Sequence, residues 1–369
     1  MTALPRLPLP LRWRALRYAV SLIGPALGFL SLSGDGWTCW AFPIYAFGFV
    51  PLRELLADPD HRNLTSAEEE MIGRDRLFDL LLYLMVPIVW GLLAYFLWRT
   101  AQPGQPWVDV LGRILSMGIV LGVYGINVGH ELGHRSKGWE RDLARVLLTS
   151  SLYAHFIIEH NRGHHRRVAT IEDPASARFG EPIYAFWPRT IVDGFRSAWR
   201  LERERLAREG RTTWDPRNEM LRGCLVEVAL VLGVGSFFGG WVLVAYIAAA
   251  LIGILLLETV NYIEHYGLGR VLDAKGRPVR VAHVHSWNSD HPLGRLMLFE
   301  LTRHSDHHYR ASRKYQTLRS IPDSPQMPTG YPGMMLLSLL PPLWFRVMHP
   351  RIDALVASHG GLVKIAEGA

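Results

Sequence analysis

Nine of the sixteen histidines in this 369-residue chain fall into four short groups. His130 and His134 lie in HELGH, and His160, His164 and His165 in EHNRGHH. His265 lies in NYIEHYG, and His304, His307 and His308 in RHSDHH. On a helix, residues i and i+4, or i and i+3, share a face. The pairs His130/His134, His160/His164 and His304/His308 are spaced i,i+4, and His304/His307 is i,i+3. Each cluster is therefore expected to aim its rings at one point, with His265 added from a separate element. Imidazole suits Zn, Cu, Fe and Ni. A single tetrahedral zinc would leave about five of the nine idle, so the count points to two ions. HELGH alone matches the zinc-protease signature, in which the glutamate is a general base. Its company argues instead for one corner of a larger site. A lone HxxxH is often chance spacing, and the solitary His61, His155, His349 and His359 are read as ordinary. His283, His285 and His291 (AHVHSWNSDH) have usable spacing but sit in a loop-like stretch, which makes them second choices.

The elements that must hold these rings are apolar. Hydrophobic residues make up 49% of the chain and are clumped. About 20 apolar residues cross a bilayer. The sequence predicts an all-α integral membrane protein with six spans, at about 18–33, 37–52, 77–98, 108–129, 223–240 and 241–263, forming one catalytic domain over 1–369. The Pro- and Arg-rich N-terminus leads into a first span rather than a removed signal peptide. The stretch 331–348, with YPG and PP, reads as re-entrant or interfacial. With six spans, 38 of the 40 Lys and Arg fall on one side, leaving Arg99 and Arg113 on the other. The positive-inside rule makes that side cytoplasmic. It carries both termini, the metal-site segments 130–222 and 264–369, and every histidine group. The net charge of +7 belongs to that face, and no nucleic-acid fold signature accompanies it. Cys39 and Cys224 form no CxxC pair, which excludes a disulfide framework and a built-in iron–sulfur module.

The segments HELGHR, EHNRGHHRRVATIEDPASAR, NYIEHYG and LTRHSDHHYRASRKYQTLRS closely resemble the four signature segments of the AlkB-type alkane 1-monooxygenases, over residues from about 127 to 320. The wider superfamily of membrane fatty acid desaturases and hydroxylases shares only the looser histidine boxes; NYIEHYG and EDPAS favour the alkane branch. The resemblance implies a six-helix membrane fold with a non-haem di-iron site, which the Lys and Arg count places as a cytoplasmic cap; the expected location is the bacterial inner membrane. The resemblance also implies O₂-dependent hydroxylation of an alkane's terminal methyl. Electrons would come from rubredoxin, itself reduced by a rubredoxin reductase using NAD(P)H. The family's ligands carry over to His130, His134, His160, His164, His165, His265, His304, His307 and His308. An unactivated C–H bond needs a redox metal with O₂, and zinc has no redox chemistry, so the two ions are expected to be iron.

Several neighbours are assigned supporting roles. Glu131, Glu159, Glu264 and Asp306 lie beside ligands and are candidates to orient them through N–H···O bonds. Glu258, in an apolar span before His265, is another. Ile126 and Leu301 stand one turn before His130 and His304 and are expected to line the end of an alkane channel. Arg135, Arg162, Arg166, Arg303, Arg310 and Arg313 are expected to steer an acidic electron donor. Three rivals remain at this level: a fatty acyl desaturase or hydroxylase, a membrane zinc protease, and a metal transporter, which would spread its ligands toward both sides.

Overall fold

The computed structural model describes residues 14–366 and is mostly helical. Arg6 and Arg12, two of the cations counted toward the inner face, lie outside the described residues, as does the closing stretch 367–369. Five helices are long and apolar enough to cross a membrane: α1 (Arg14–Ser33), α2 (Arg76–Thr100), α3 (Trp107–Gly133), α4 (Glu219–Phe238) and α5 (Gly240–His265). The sequence predicts six. The difference is 37–52, which is helical but broken: a 3₁₀ turn Gly36–Trp40, Ala41–Ile44, a π turn Tyr45–Phe49, then Val50–Leu55. Pro43 and Pro51 each withhold a backbone N–H, and together with Trp37, Trp40 and Gly48 they leave this run less apolar than the five. The 331–348 stretch is likewise divided, into Tyr331–Ser338 and Pro341–His359.

Local chemistry sets the ends of these helices. Asp75 caps α2 by accepting from Leu77 N at 2.7 Å, and Asn218 caps α4 by accepting from Leu221 N at 3.0 Å. Gly239, at φ 87°, turns α4 into α5 in a conformation that favours glycine. α3 is the most enclosed of the five and packs closely on α5. A Cβ on Gly253 would lie 3.0 Å from the Gly122 nitrogen. The two backbones approach as small residues allow in lipid, where close packing replaces hydrophobic drive. By contrast α4 is almost wholly exposed, showing Leu225, Leu232 and Phe237 outward. Two polar ties hold it: Glu227 accepts from Ala154 N at 2.7 Å, and Glu219 pairs with Arg145 (2.9 Å) and Arg162 (2.6 Å).

One apolar core runs among the spans, around Met85, Phe96, Tyr124 and Tyr246. A second lies under the cap, around Tyr262, Trp287, Tyr331 and Trp344. The cap also holds a small antiparallel pair, β1 (Leu268–Arg270) with β2 (Val363–Ile365), which fastens the chain just past His265. Two π turns interrupt helices at the boundary between spans and cap: Leu121–Ile126 inside α3, and His160–His164. A π turn closes i→i+5 hydrogen bonds and so shifts which side chains share a face.

Candidate metal centre

His130 lies in the last turn of α3 and His265 ends α5, and the remaining seven come from the segments that follow α3 and precede Tyr331. The structure brings all nine rings into two adjacent groups. His130, His134, His160, His165 and His307 form one; His164, His265, His304 and His308 form the other, with ligand atoms in each within 4.8 Å of one another. Rings of the two groups meet at His165 and His308, whose centroids are 4.5 Å apart.

The grouping departs from the helical spacing in two places. His160 and His164, expected to share a point, belong to different groups. The π turn pairs His160 with His165 instead, at 3.0 Å between Nε2 atoms. His307 likewise joins the first group, 3.0 Å from His130 Nε2, while His304 and His308 stay together at 2.8 Å. His130 and His134 remain a pair at 3.2 Å. The second choices stay outside both groups. His285 is used structurally, hydrogen-bonded to Ala282 N and Leu362 O, each at 2.9 Å. His291 meets Ser289 Oγ at 3.0 Å, and His283 sits against Tyr309.

The donor set fits a pair of metal ions. The Nε2 atoms face one another at 2.8–3.2 Å in buried surroundings. In a facing pair only one nitrogen can hold a proton, so five nitrogens converging on one point cannot all be satisfied by protons. Burial, reinforced by the neighbouring imidazoles, holds His134, His160, His165, His304, His307 and His308 well below the ordinary histidine range. Neutral rings with converging lone pairs are the form that ligates a transition metal.

The carboxylates divide by what they touch. Glu264 points at the ligand face: Oε2 lies 3.2 Å from His304 Nε2, while Oε1 accepts from Tyr331 Oη at 2.7 Å. Glu131 touches no histidine. It pairs with Arg135 (2.9 Å) and accepts from Tyr315 N (3.2 Å), in a buried network that includes Asp79 and Lys314. Glu159 is engaged by Arg167 and by Ser197 Oγ. Glu258 accepts from Tyr153 Oη, Thr190 Oγ1 and Asn261 Nδ2, and Asp306 accepts from Arg319 N. None of these three meets a ligand's ring nitrogen by hydrogen bond.

The carboxylate that does so is Asp173, which the sequence reading missed. Its Oδ2 is 2.8 Å from His164 Nδ1 and accepts from Ser176 Oγ at 2.6 Å. Burial opposes both charges, yet the pair prevails: Asp173 holds His164 above its ordinary range, and His164 holds Asp173 below its own. The signal was the EDPAS run, nine residues beyond His164 and past the end of any helix, where face arguments do not reach.

Two cavities lie near the site, besides a small one that His160 and His164 themselves line. One is narrow and apolar, between Phe42, Val123, Leu257 and Met297, and it reaches Leu301 and Asn127, each three residues before a histidine. Leu301 lines this cavity; Ile126 is buried inside the π turn and does not. The other is a basic cleft of about 850 Å³ over the polar face, lined by Arg162, Arg166, Arg178, Arg200, Arg270 and Lys364 among others. This corrects the expected electron-donor surface. Arg135 and Arg303 are buried in ion pairs with Glu131 and Asp290, at 2.9 Å each. Arg313 leans on Asp306 and Glu69. Arg310 is exposed but away from the cleft. Arg162 lines the cleft while paired with Glu202 and Glu219, and Arg166 is exposed.

The chain matches the fatty acid desaturase family over residues 105–338. It is 42% identical to an alkane 1-monooxygenase of Pseudomonas aeruginosa over 86% of this chain and 84% of that protein. It is 40% identical to one from Alcanivorax borkumensis, over 92% and 84%. A xylene/toluene monooxygenase hydroxylase component of Pseudomonas putida is 32% identical over 73% and 72%.

Proposed function

The chain belongs to the fatty acid desaturase family and to its alkane 1-monooxygenases, and on that footing we propose that it uses O₂ and a pair of non-haem irons to convert an alkane's terminal methyl to a primary alcohol. It is a membrane monooxygenase acting on alkanes. The nine histidines are its ligands, five to one ion and four to the other. When bound, the irons supply the oxidising power toward O₂ and the C–H bond that side chains lack. The observation that carries this reading is the convergence of nine imidazoles into two adjacent clusters, near an apolar cavity lined by Asn127 and Leu301, each three residues before a ligand.

The protein's own residues supply binding, orientation and exclusion of water. Burial keeps His134, His160, His165, His304, His307 and His308 neutral by disfavouring their protonated form. Asp173 keeps the His164 proton on Nδ1, which leaves Nε2 free to ligate. Glu264, steadied by Tyr331, offers a carboxylate oxygen at the four-histidine cluster. Leu301 and the cavity walls present one end of a hydrocarbon chain to the site, which favours the terminal carbon. Glu131 has no catalytic duty. Its ion pair with Arg135 ties the HELGH turn to α2 through Asp79.

The remaining proposals concern setting. We read the broken run 36–55 as a sixth crossing, the whole chain as one catalytic unit, and the histidine cap and both termini as cytoplasmic in the inner membrane, on the strength of the Lys and Arg distribution. Electrons come from an acidic rubredoxin docking over Arg166, Arg178 and Arg200, close to the partly exposed His165. The test is elemental analysis of the purified protein with product analysis after incubation with octane and, separately, with a fatty acyl substrate. Two irons per chain and 1-octanol are expected; one zinc without iron, or a desaturated acyl product instead of the alcohol, would overturn the reading.

A further inference from the structure

Among the residues lining the apolar cavity, Asn127 alone carries an amide, hydroxyl or charged side chain. It is 6% exposed. Its Nδ2 donates to Leu298 O at 3.1 Å. A backbone carbonyl accepts but never donates, which fixes the amide's orientation and leaves Oδ1 as an acceptor. Among the described residues the side chain's one hydrogen bond is this donation, and no donor is paired with Oδ1. An open acceptor on an otherwise apolar wall is of no use to hydrocarbon, for which a leucine would serve better. Asn127 also sits at the reacting end. It stands three residues before His130 on the same face of α3, about 4.5 Å along the axis.

An alkane brings no donor to this oxygen. The alcohol does. We propose that Asn127 recognises the product: its Oδ1 accepts the O–H of the newly formed primary alcohol. The inference rests on the alkane-hydroxylating function and extends it to how the product is held. The contact comes into being only after oxygen insertion, because the carbon that faces the histidines is the one that gains the hydroxyl. It gives that hydroxyl a partner in a wall with no other, and turns it from the ligand face toward the helical turn before His130. The anchoring bond to Leu298 holds the amide in place for this and ties α3 to the segment leading into RHSDHH.

A purely structural role for Asn127, holding the Leu298 carbonyl, would affect every cavity ligand alike. The two cases separate by comparing 1-octanol with nonane, which has the same number of heavy atoms and no donor. Dissociation constants for both are measured from ligand-induced melting shifts of the purified, iron-loaded protein in detergent. In Asn127→Leu the ratio of the octanol constant to the nonane constant is expected to rise about tenfold over the wild type. Asn127→Ser, which keeps a small polar group, is expected to fall between. The proposal is overturned if the ratio stays within twofold in both variants. Should Asn127→Leu fail to fold, Asn127→Ser decides by the same ratio. The wild-type protein's turnover of octane tests the underlying function separately, since the binding ratio needs no turnover.

Discussion

Replacing Asp173 by asparagine removes one charge and almost no volume, yet it should loosen one of the two ions. In the native arrangement Oδ2 meets His164 Nδ1 at 2.8 Å and Ser176 Oγ at 2.6 Å, while Oδ1 accepts from Ala175 N at 3.3 Å. All of these donors converge on a buried acceptor. An amide in that place must aim its NH₂ at a donor, whichever way it turns. His164 can relieve the clash by moving its proton to Nε2, and that removes the lone pair needed for the metal. Losing a carboxylate behind a ligating histidine typically costs 10–100-fold in metal affinity, or about 1.4–2.7 kcal/mol. The assay is anaerobic titration of the iron-loaded protein with a ferrous chelator. One iron of Asp173→Asn should depart at roughly tenfold lower chelator concentration, with the five-histidine ion following the wild-type curve. Ser176→Ala, which leaves the carboxylate intact, should shift the curve less. A profile for Asp173→Asn that overlays the wild type would refute the claim that this carboxylate sets the His164 tautomer.

Three further outcomes are expected. Glu131→Gln should retain iron, because Glu131 touches no ligand, but lose about 1–3 kcal/mol of stability, since buried Arg135 loses one carboxylate and keeps Asp79 at 3.1 Å; chemical denaturation checks this, and loss of iron at unchanged stability would contradict it. Iron retention should be full above about pH 7 and fall as pH drops through about 6.5. The buried rings bind protons less readily folded than unfolded, so acid favours the unfolded, metal-free chain; iron content after equilibration along a pH series reads it out. Reversing charge at the cleft in Arg166→Glu with Arg178→Glu should slow reduction by rubredoxin roughly tenfold at low salt, an effect that fades with added salt; stopped-flow reduction measures it, and an unchanged rate would place docking elsewhere.

The sequence carried the ligand types and the apolar run of most spans, because both are local in the chain. What it could not carry was the partition of rings between two points. Helical spacing put His160 with His164, and a π turn sends His165 to that place instead. No composition rule announces such a turn. The run 36–55 was hard to read for a different reason: it continues as helical turns, while its prolines, tryptophans and glycines leave it less apolar than the other spans. Charge was misleading in both directions. Arg135 and Arg303 look like surface cations in one dimension and are buried struts in three. Asp173 looks like a loop residue and stands behind a ligand, since contact across a loop depends on where the chain returns.

The outward-facing α4 makes the protein dependent on its solvent in a way the other helices are not. It shares little surface with its neighbours and leans on the bilayer for its apolar contacts, with two acidic side chains as moorings. Extraction into a short-chain detergent replaces that lateral support with a mobile micelle. The first element to drift should then be this helix, and because Glu219 moors it to Arg162, drift would reach the rim of the basic cleft while leaving the histidine clusters intact. A preparation could thus hold its full complement of iron and still accept electrons poorly, recovering when returned to lipid nanodiscs.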